Sequence, residues 1–423
     1  MRCPLTAAQA GFSYFAMVGT GLLLGLTTSD GADWAQWRGE GRRGHSPDKG
    51  LLEKWPEGGP KQLWLFEDCG KGYSAPAVVD SSVYILGARE VTQLICLEEA
   101  TGKEKWATEV GVIYKNDWGD GPRSTPTVDD GLVYALGGKG DLVCAKADRG
   151  EVVWSKSLTK DFGGKLPNWG YTESVLIDGE KLICTPGGNP GAIVALNKKT
   201  GDVIWTSAGL TDGAQYSSPI MIEHDGQRQY VQLFMKALVG VSAEDGKVLW
   251  KTRFRGRTAV VPTPIYSNGL IYVTAGYGAG CKQIRLGGQT PEITYENENI
   301  VNHHGGVILL DGHLYGHSDK RGDGEWVCQH FESGEIVWKS KKLGKGAIGY
   351  ADGRFYCLGE KDGTVALIEA SKDGWKEQGR FEMEPKTKIR SGRGKIWTHP
   401  VIVNGRLYLR DQDLFFSYDV KGE

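Results

Sequence analysis

The sequence predicts an all-β protein built from repeats of a four-stranded unit. Its 423 residues include 62 glycines and 14 tryptophans. Glycines supply tight turns and tryptophans supply large apolar surfaces, a combination that favours many short strands over long helices. Two sequence motifs, called phrases below, also recur at intervals of about 40–50 residues, which is the period of a propeller blade. We therefore predict an eight-bladed β-propeller with four antiparallel strands in each blade.

The first recurring phrase places an aromatic residue four positions after a glycine. Five copies are complete: Gly102 with Trp106, Gly150 with Trp154, Gly201 with Trp205, Gly246 with Trp250, and Gly334 with Trp338. The last interval is twice as long as the others, and Tyr295 takes the tryptophan position of the copy in between. With Trp64 one period earlier and a degenerate copy at 371–381, the count is eight.

The second phrase consists of two strands joined by a tight turn, and it also occurs eight times, for example at 74–86, 124–136 and 398–410. Most copies carry Asp-Gly or Asn-Gly in the turn, and these residues accept a positive φ in hairpins. A third strand and the tryptophan strand follow in each period. Each repeat therefore supplies four strands, as a propeller blade requires.

The two ends of the chain decide between a closed ring and an open solenoid of the same units. Trp64 lies on a fourth strand with no first three before it, whereas the last repeat, ending at 413–420, has three strands and no fourth. The N-terminal strand can therefore complete the final blade and remove both exposed sheet edges. We predict a closed propeller over 61–423.

The cysteines follow the same period. Cys96, Cys144 and Cys328 each stand ten residues before their tryptophan, a position where other repeats carry Ala195 and Gly240. This position requires a small apolar residue on a packed strand, so we predict core residues and neither disulfides nor metal ligands.

The N-terminus has the layout of a secretory signal. One arginine precedes the apolar run 11–28, and small residues follow it. The run is marginal in length and apolarity for a membrane span. We predict a signal peptide over 1–32, an N-terminal extension over 33–60, and a secreted or periplasmic mature chain without a transmembrane span. An uncleaved anchor is the alternative, and a bacterial lipid anchor is not expected because Cys3 precedes the run.

Charge and motifs exclude several other classes of function. The formal net charge of −2 argues against a nucleic-acid-binding protein, for which a strongly basic domain is expected. No CxxC or CxxCH motif occurs, so zinc ribbons and c-type haem lack their sequence signal. We expect a monomer.

The glycine–tryptophan phrase, following a strand that ends in a small residue, resembles the pyrroloquinoline-quinone (PQQ)-like repeat. This repeat builds eight-bladed propellers in quinoprotein alcohol dehydrogenases and in the propeller of the bacterial outer-membrane assembly machine. The resemblance covers roughly 60–421. The leader at 33–64 is similar to that of a group of exported bacterial propellers abundant in planctomycetes.

The resemblance implies two alternatives to a plain binding module. A PQQ-dependent dehydrogenase would hold calcium through Glu, Asn and Asp, use an Asp as base, and sandwich the quinone between a Trp and a vicinal disulfide. Glu173 is a candidate calcium ligand and Asp117 or Asp120 a candidate base, but no vicinal cysteine pair occurs. The other alternative is a subunit of an envelope assembly complex. No cofactor is predicted from the residues themselves; PQQ with calcium is the one that the resemblance offers.

We predict that a binding site lies at one mouth of the central channel, where the loops that lead into each innermost strand converge. The candidate residues are Arg123, Trp169, Tyr171, Glu173, Tyr216, Arg257, His303, Trp397 and His399. Aromatic rings mixed with cations suit a flat anionic ligand, although an ordinary polar rim would have a similar composition. Adjacent His303 and His304 would point to opposite faces of a strand, which argues against a metal site. The predicted function is a binding or scaffolding module for a small anionic ligand or an envelope protein, with no catalytic residue assigned.

Overall fold

The computed structural model describes residues 33–287, 290–320 and 324–422. These residues form eight four-stranded antiparallel sheets, arranged as the blades of a closed ring. The predicted all-β, eight-bladed propeller is therefore confirmed. The predicted signal peptide over 1–32 lies outside the described residues, and the extension over 33–60 belongs to the same compact unit as the blades.

Strand β1 (Gln62–Phe66) comes before the first blade. Blades 1 to 4 then follow along the chain, each with its first strand innermost. Their strands are β2 (Ala77–Val79), β3 (Ser82–Ala88), β4 (Thr92–Glu98) and β5 (Glu104–Gly111); β6 (Thr127–Asp129), β7 (Leu132–Leu136), β8 (Asp141–Lys146) and β9 (Val152–Ser157); β10 (Leu176–Asp178), β11 (Lys181–Cys184), β12 (Gly191–Asn197) and β13 (Val203–Ala208); β14 (Ile220–His224), β15 (Gln227–Leu233), β16 (Ala237–Ser242) and β17 (Val248–Arg253).

Blades 5 to 8 continue in the same way, except that blade 8 receives only three strands from this part of the chain. Their strands are β18 (Ile265–Ser267), β19 (Leu270–Ala275), β20 (Gly280–Arg285) and β21 (Glu292–Asn297); β22 (Val307–Leu310), β23 (His313–Ser318), β24 (Glu325–His330) and β25 (Ile336–Ser340); β26 (Gly346–Ala351), β27 (Arg354–Gly359), β28 (Thr364–Glu369) and β29 (Glu377–Glu382); β30 (Val401–Val403), β31 (Arg406–Asp411) and β32 (Leu414–Asp419). A three-residue 3₁₀ turn, Glu40–Arg42, is the only helical element among the described residues.

Strand β1 closes the ring by completing blade 8. It pairs antiparallel with β32, and Trp64 lies opposite Ser417. The sheet order is therefore β1, β32, β31, β30, so the outermost strand of the last blade comes from the start of the chain. The predicted ring closure is confirmed, and the open solenoid is excluded.

The ten-residue spacing between the small residue and the tryptophan is a cross-strand pair. Cys96 lies opposite Trp106 and Cys144 opposite Trp154, and a bulge follows each pair. The pairing of Gly240 with Trp250 shows why the position must be small, because a Cβ on this glycine would overlap the indole. The seven cysteines from Cys69 to Cys357 are buried and free, as predicted for core residues.

The apolar core lies between neighbouring blades. Eight buried clusters are found among the described residues, and each combines side chains from two adjacent sheets. The repeat glycine and tryptophan meet at these boundaries: Gly102 of blade 1, with φ 70°, packs beneath Trp64 of blade 8. The Trp64 indole also donates from Nε1 to the Glu99 carbonyl of blade 1 at 2.9 Å. Each repeat therefore docks onto the next blade.

Blade 7 has no tryptophan at the repeat position, and the N-terminal extension supplies one. In the other blades that carry the pair, the ring centroids of tryptophan and tyrosine lie about 6 Å apart, as for Tyr315 and Trp338 at 6.1 Å. In blade 7 the tryptophan position is taken by Gly379, and Trp55 packs over this glycine. Trp55 lies 6.1 Å from Tyr356, so it reproduces the pair with a residue from outside the repeat.

Residues 34–48, here called the axial segment, contact the inner side of all eight blades. Its backbone bonds to Val78 of blade 1, Val128 of blade 2 and Tyr350 of blade 7. Side-chain contacts reach the other five blades. They are Arg42 to Ser174 and Pro219, Trp37 to Thr263, Arg38 to Val307, and Asp48 to Gly405. The predicted extension is thus an integral part of the ring.

Arg42 is the anchor of the axial segment. It is 3 % exposed, and its guanidinium donates to the carbonyls of Ser174 at 2.8 Å, Pro219 at 2.9 Å and Val175 at 2.6 Å. Burial lowers its pKa to about 9, with Glu173 opposing the shift, so the group stays charged at neutral pH. One cation therefore satisfies three carbonyls of blades 3 and 4.

Replacing Arg42 by methionine should destabilise the protein strongly, because the buried carbonyls of Ser174 and Pro219 would lose their donor and that of Val175 would keep only the Thr127 hydroxyl. We expect a loss of about 3 kcal/mol or more in the free energy of unfolding, or loss of soluble folded protein. The control is Arg43→Met at the exposed neighbouring position, which should change the free energy by less than about 0.5 kcal/mol. Equal denaturant midpoints for the two variants would contradict the role assigned to Arg42.

Candidate functional site

One mouth of the channel contains a cavity with a volume of ≈ 190 Å³. Its walls come from the loops that precede innermost strands and from the β19–β20 turn, and Trp37 and Arg38 of the axial segment complete its lining. Six of the nine candidate residues line it together: Arg123, Trp169, Tyr216, His303, Trp397 and His399. The non-repeating loops thus meet where the sequence predicts.

The other three candidates do not line the cavity. Tyr171 is buried and donates its hydroxyl to the Pro186 carbonyl at 2.9 Å, and Glu173 is buried beside it and accepts from the Thr185 amide. Thr172 and Ser174, which alternate with them along the chain, do line the cavity, so successive side chains of this segment point alternately to the core and to the cavity. Arg257 is exposed outside the cavity lining.

Arg123 and Arg38 are the two cations that the described residues contribute to the lining. Arg123 donates from Nη2 to the Gly119 carbonyl at 2.9 Å, and its guanidinium lies 4.8 Å from the ring centroid of Tyr73 and 5.8 Å from that of Tyr114. Its buried Nη1 has no hydrogen-bond partner among the described residues. Two aromatic rings thus hold a guanidinium with one donor still free.

The Arg38 guanidinium also bonds to the fold, through Nε and Nη2, and no hydrogen bond of its Nη1 to a described residue is found. It donates to the carbonyls of Val307 at 2.6 Å, Arg43 at 3.2 Å and Arg42 at 3.4 Å. A Cβ on Gly306 would overlap this guanidinium, so only glycine lets the chain pass there. Arg38 therefore serves as part of the cavity floor.

Aromatic rings form a continuous wall around Arg123. Trp397 lies 5.3 Å from Tyr73 and 5.6 Å from His304 between ring centroids. Trp169 and Tyr216 pack edge to face at 5.8 Å on the opposite side. Such walls favour the faces of a flat ring system.

His303 and His304 both line the cavity, so the prediction that they point to opposite faces is wrong. They lie on a bend before β22 and not on a strand, and their ring centroids are 4.5 Å apart. Asn302 fixes this bend, because its side chain donates to the Gly306 carbonyl and accepts from the Gly306 amide. The double glycine allows close packing: a Cβ on Gly305 would overlap the Gly346 carbonyl of blade 7.

The cavity histidines are neutral at physiological pH. Burial, with a contribution from Lys345, lowers the pKa of His304 to about 3, and burial, with a contribution from Arg38, lowers that of His399 to about 3. His399 donates from Nε2 to the His304 carbonyl at 2.7 Å, which its neutral Nε2–H form allows. The cations of the described lining are therefore the two arginines, Arg123 and Arg38.

Sequence reasoning missed Trp37, Arg38 and Tyr277. The first two come from the axial segment, whose path through the channel is a long-range property that no local pattern encodes. Tyr277 lies in the β19–β20 turn, and such turns open at the same end of a propeller as the loops before the innermost strands. The signal was an aromatic residue between two glycines, Gly276 and Gly278, in a turn of that class.

With the fold and the cavity described, the chain can be compared with known proteins. A family model described as outer membrane protein assembly factor BamB matches residues 111–340, more than half of the chain. The chain belongs to this family. The predicted relation to quinone-repeat propellers is thereby confirmed.

Two curated relatives and one solved structure are also similar to the chain. Tetrathionate hydrolase of Acidithiobacillus ferrooxidans is 24% identical over 274 residues, covering 59% of this chain and 51% of the relative. Polyvinylalcohol dehydrogenase of Sphingopyxis is 29% identical over 213 residues, covering 44% of this chain and 31% of the relative. The chain thus spans about half or less of the curated relatives it matches. The crystal structure of quinohemoprotein alcohol dehydrogenase from Comamonas testosteroni superposes with a TM-score of 0.66 at 12% identity, covering 92% of this chain and 81% of that chain, which shows the shared fold.

The donor set of the cavity does not fit a calcium-held quinone. Calcium requires several oxygen ligands, usually carboxylates, and the lining contains no Asp, Glu, Asn or Gln among the described residues. Glu173, the candidate ligand, is buried away from the lining, and Asp120 is paired with Lys71 at 3.0 Å. The aromatic walls and Arg123 remain suited to a flat anion without a metal.

No helix with the length and apolarity of a membrane span is found in the part of the chain that the structure describes.

Glu173 gives the stability a defined pH dependence. Burial raises its pKa from 4.5 to about 7, against the opposing effects of Thr185 and Arg42. Between these pH values the folded state holds a proton that the unfolded state releases, so this group makes the free energy of unfolding fall as pH rises from 4.5 to about 7. In Glu173→Gln this dependence disappears. The variant should therefore gain about 3 kcal/mol relative to the native protein between pH 4.5 and pH 7.5.

Denaturant titrations at the two pH values measure this difference. Glu332→Gln is the control, because Glu332 is exposed and should leave the pH dependence unchanged. A difference between native protein and Glu173→Gln that is the same at both pH values would contradict the prediction.

Proposed function

We propose that the protein is an exported propeller that binds a small, flat, anionic molecule in the cavity at its channel mouth. The family and the fold are consistent with binding, assembly and quinoprotein roles. The cavity's own residues favour the first of these.

The free donor of Arg123 is the observation that carries this proposal. Arg123 lines the cavity, and its buried Nη1 has no hydrogen-bond partner among the described residues, while Nη2 is bonded to Gly119. Leaving a buried charged donor unsatisfied costs on the order of 1–3 kcal/mol or more. A ligand carboxylate would satisfy it through a charge-assisted hydrogen bond, the strongest kind that this side chain makes.

The shape and polarity of the cavity define the rest of the ligand. Trp397, Tyr73, Trp169 and Tyr216 offer ring faces and edges, so a planar, largely apolar body fits between them. The volume of ≈ 190 Å³ is smaller than the roughly 300–1,000 Å³ of sites for drug-sized ligands. A one- or two-ring acid is therefore the class of molecule we expect.

A protein partner is a second candidate, favoured by a separate surface. The outer strands of blades 2 to 6 expose β-branched residues just before the tryptophan position, such as Val153 at 42%, Val203 at 52% and Ile293 at 49%. The equivalent position in blade 1 carries Lys105. An apolar arc on one side of the ring is typical of an interaction surface, and the matched family is described as an assembly factor.

This second candidate has a simple test. A Val203→Glu, Ile204→Glu variant should lose co-purification with an envelope membrane protein, whereas a cavity variant should keep it. Retention of the partner by the arc variant would contradict the role of the arc.

Export is part of the proposal and rests on the apolar run at 11–28. In the native host the mature protein should begin near residue 33 and be recovered from the periplasm or the medium. Recovery of the unprocessed chain from membranes would favour an anchor.

Replacement of Arg123 by glutamine should weaken binding of 2-naphthoate, a two-ring monocarboxylate, by about tenfold or more, because the charge-assisted bond is lost. Calorimetry or quenching of tryptophan fluorescence measures the affinity. Arg257→Gln is the matched control, since Arg257 is an exposed arginine outside the cavity lining, and it should change the affinity less than twofold. The neutral amide, 2-naphthamide, should bind the native protein about as weakly as the acid binds Arg123→Gln.

Failure of 2-naphthoate to bind, or equal affinity for native protein and Arg123→Gln, would overturn the proposed site. A parallel titration with PQQ distinguishes the dehydrogenase. Tight binding that requires calcium, together with dye-linked alcohol oxidation, would favour that alternative over a binding module.

A further inference from the structure

A chain of polar contacts runs from the protein interior to the cavity. The Asp319 carboxylate lies 2.9 Å from the Lys345 ammonium, and Lys345 Nζ lies 2.8 Å from His303 Nδ1. His303 Nε2 in turn lies 2.9 Å from the hydroxyl of Tyr277, which lines the cavity. The four side chains of this series belong to blades 5, 6 and 7, and the last of them is the Tyr277 phenol.

The direction of these hydrogen bonds follows from the donors available. An ammonium group can only donate, so Nδ1 of His303 must accept from Lys345. A neutral imidazole then carries its proton on Nε2 and donates it to the Tyr277 oxygen. Because that oxygen already accepts one bond from the protein, its own O–H is left to donate into the cavity.

The protonation states agree with this direction. Burial, the neighbouring His304 and Lys345 lower the pKa of His303 well below its usual range, so the imidazole is neutral. Burial opposes ionisation of Asp319, but hydrogen bonding from His317 and the charge of Lys345 outweigh it and hold its pKa at about 2. Burial, with Asp319 and Glu360, raises the pKa of Tyr277, so the phenol keeps its proton.

The backbone of Tyr277 is the second observation. Its φ is 59°, a left-handed conformation that is a genuine outlier for a bulky side chain. Gly276 and Gly278 flank it, and a Cβ on Gly276 would press against His303 at 3.0 Å. Such a conformation costs on the order of 1–3 kcal/mol and is found where the surrounding structure requires one particular side-chain position. Here the side-chain position brings the Tyr277 hydroxyl within hydrogen-bond distance of His303 Nε2.

The placement of Tyr277 gives the cavity two polar ends. Tyr277 belongs to blade 5 and Arg123 precedes the innermost strand of blade 2, so the two lie three blades apart around the eight-bladed mouth. Trp169 precedes the innermost strand of blade 3 and Tyr216 that of blade 4, the two blades between them. We propose that Tyr277 is a second ligand-binding group, a hydrogen-bond donor oriented by Lys345 and His303. On this proposal, which rests on the proposed function, the ligand is a flat aromatic acid with an oxygen acceptor on the edge opposite its carboxylate.

Two isosteric probes test the second donor. In 6-acetyl-2-naphthoate and 6-isopropenyl-2-naphthoate the charge and shape are the same, and only the acetyl group has an oxygen acceptor. The native protein should bind the acetyl acid about fivefold to tenfold more tightly, the value of one net hydrogen bond. In Tyr277→Phe this ratio should fall to about one, while the affinity for the isopropenyl acid stays within twofold.

Lys345 and His303 are positioning residues, and their role has its own readout. Nitrogen-15 NMR of the His303 imidazole should show the Nε2–H form in the native protein. In Lys345→Met the Nδ1–H form should become populated, and the acetyl preference should fall. Lys341→Met, at an exposed lysine on the same loop, should leave both the tautomer and the preference unchanged.

The outcomes separate this inference from the proposed function. If both acids bind and need Arg123 but the acetyl acid gains nothing, or if Tyr277→Phe keeps the preference, the second donor is wrong and the anion site stands. An Nδ1–H tautomer in the native protein would also overturn the inference. If neither acid binds, both proposals fail.

Discussion

The inner edges of eight blades present unpaired backbone groups to one narrow channel, and the structure depends on satisfying them. Buried carbonyls without donors are costly, and water has little room there. The axial segment provides the partners, through backbone bonds on two sides of the ring and through the guanidinium groups of Arg38 and Arg42 elsewhere. Two long cations with several donors each reach carbonyls that a backbone strand could not reach at the same time. The ring is thus held together from its axis as well as at its β1–β32 closure.

The same segment determines the site. Trp37 and Arg38 complete the cavity lining. Arg38 bonds to the Val307 carbonyl of blade 6 through Nη2, and the buried Nη1 of Arg123 has no partner among the described residues. Because the histidines nearby are neutral, the cations of the described lining are Arg38 and Arg123, set among aromatic walls. A buried charge of this kind is little screened by salt, so recognition should depend on geometry more than on long-range attraction. The axial segment therefore both holds the ring together and contributes to the lining of the cavity.

Much of the fold is predictable because propeller repeats are local. The glycine turn, the tryptophan and the small residue ten positions earlier lie within one blade or its neighbour, so a fixed spacing reports them directly, as Cys96 opposite Trp106 shows. Ring closure follows from counting strands. The substitution of Trp55 for the missing tryptophan of blade 7 could not be predicted, since it depends on the path of a distant segment. The site is less predictable than the repeats. Topology determines which loops form the mouth, but the local path of the backbone decides which side chains line the cavity. Alternation along 171–174 buries Tyr171 and Glu173 while Thr172 and Ser174 line the cavity, and the Asn302 bend brings His303 and His304 to the same side.

Tyr277 shows how a repeat protein can place a polar side chain in its cavity without disturbing the strands of the repeat. Its strand pairing is ordinary up to Ala275 and resumes at Gly280, so the four residues between are free of the blade's packing requirements. Two glycines in these four positions permit the left-handed backbone, and the ring packs on His303 at 4.7 Å between centroids. The cost of that conformation is local, because the adjacent strands keep their register. The polar groups that orient the phenol come from two other blades, whose innermost strands are already fixed by the axial segment. A rigid ring therefore allows one strained turn to place a donor with defined geometry, which a flexible loop on a less constrained scaffold could not do.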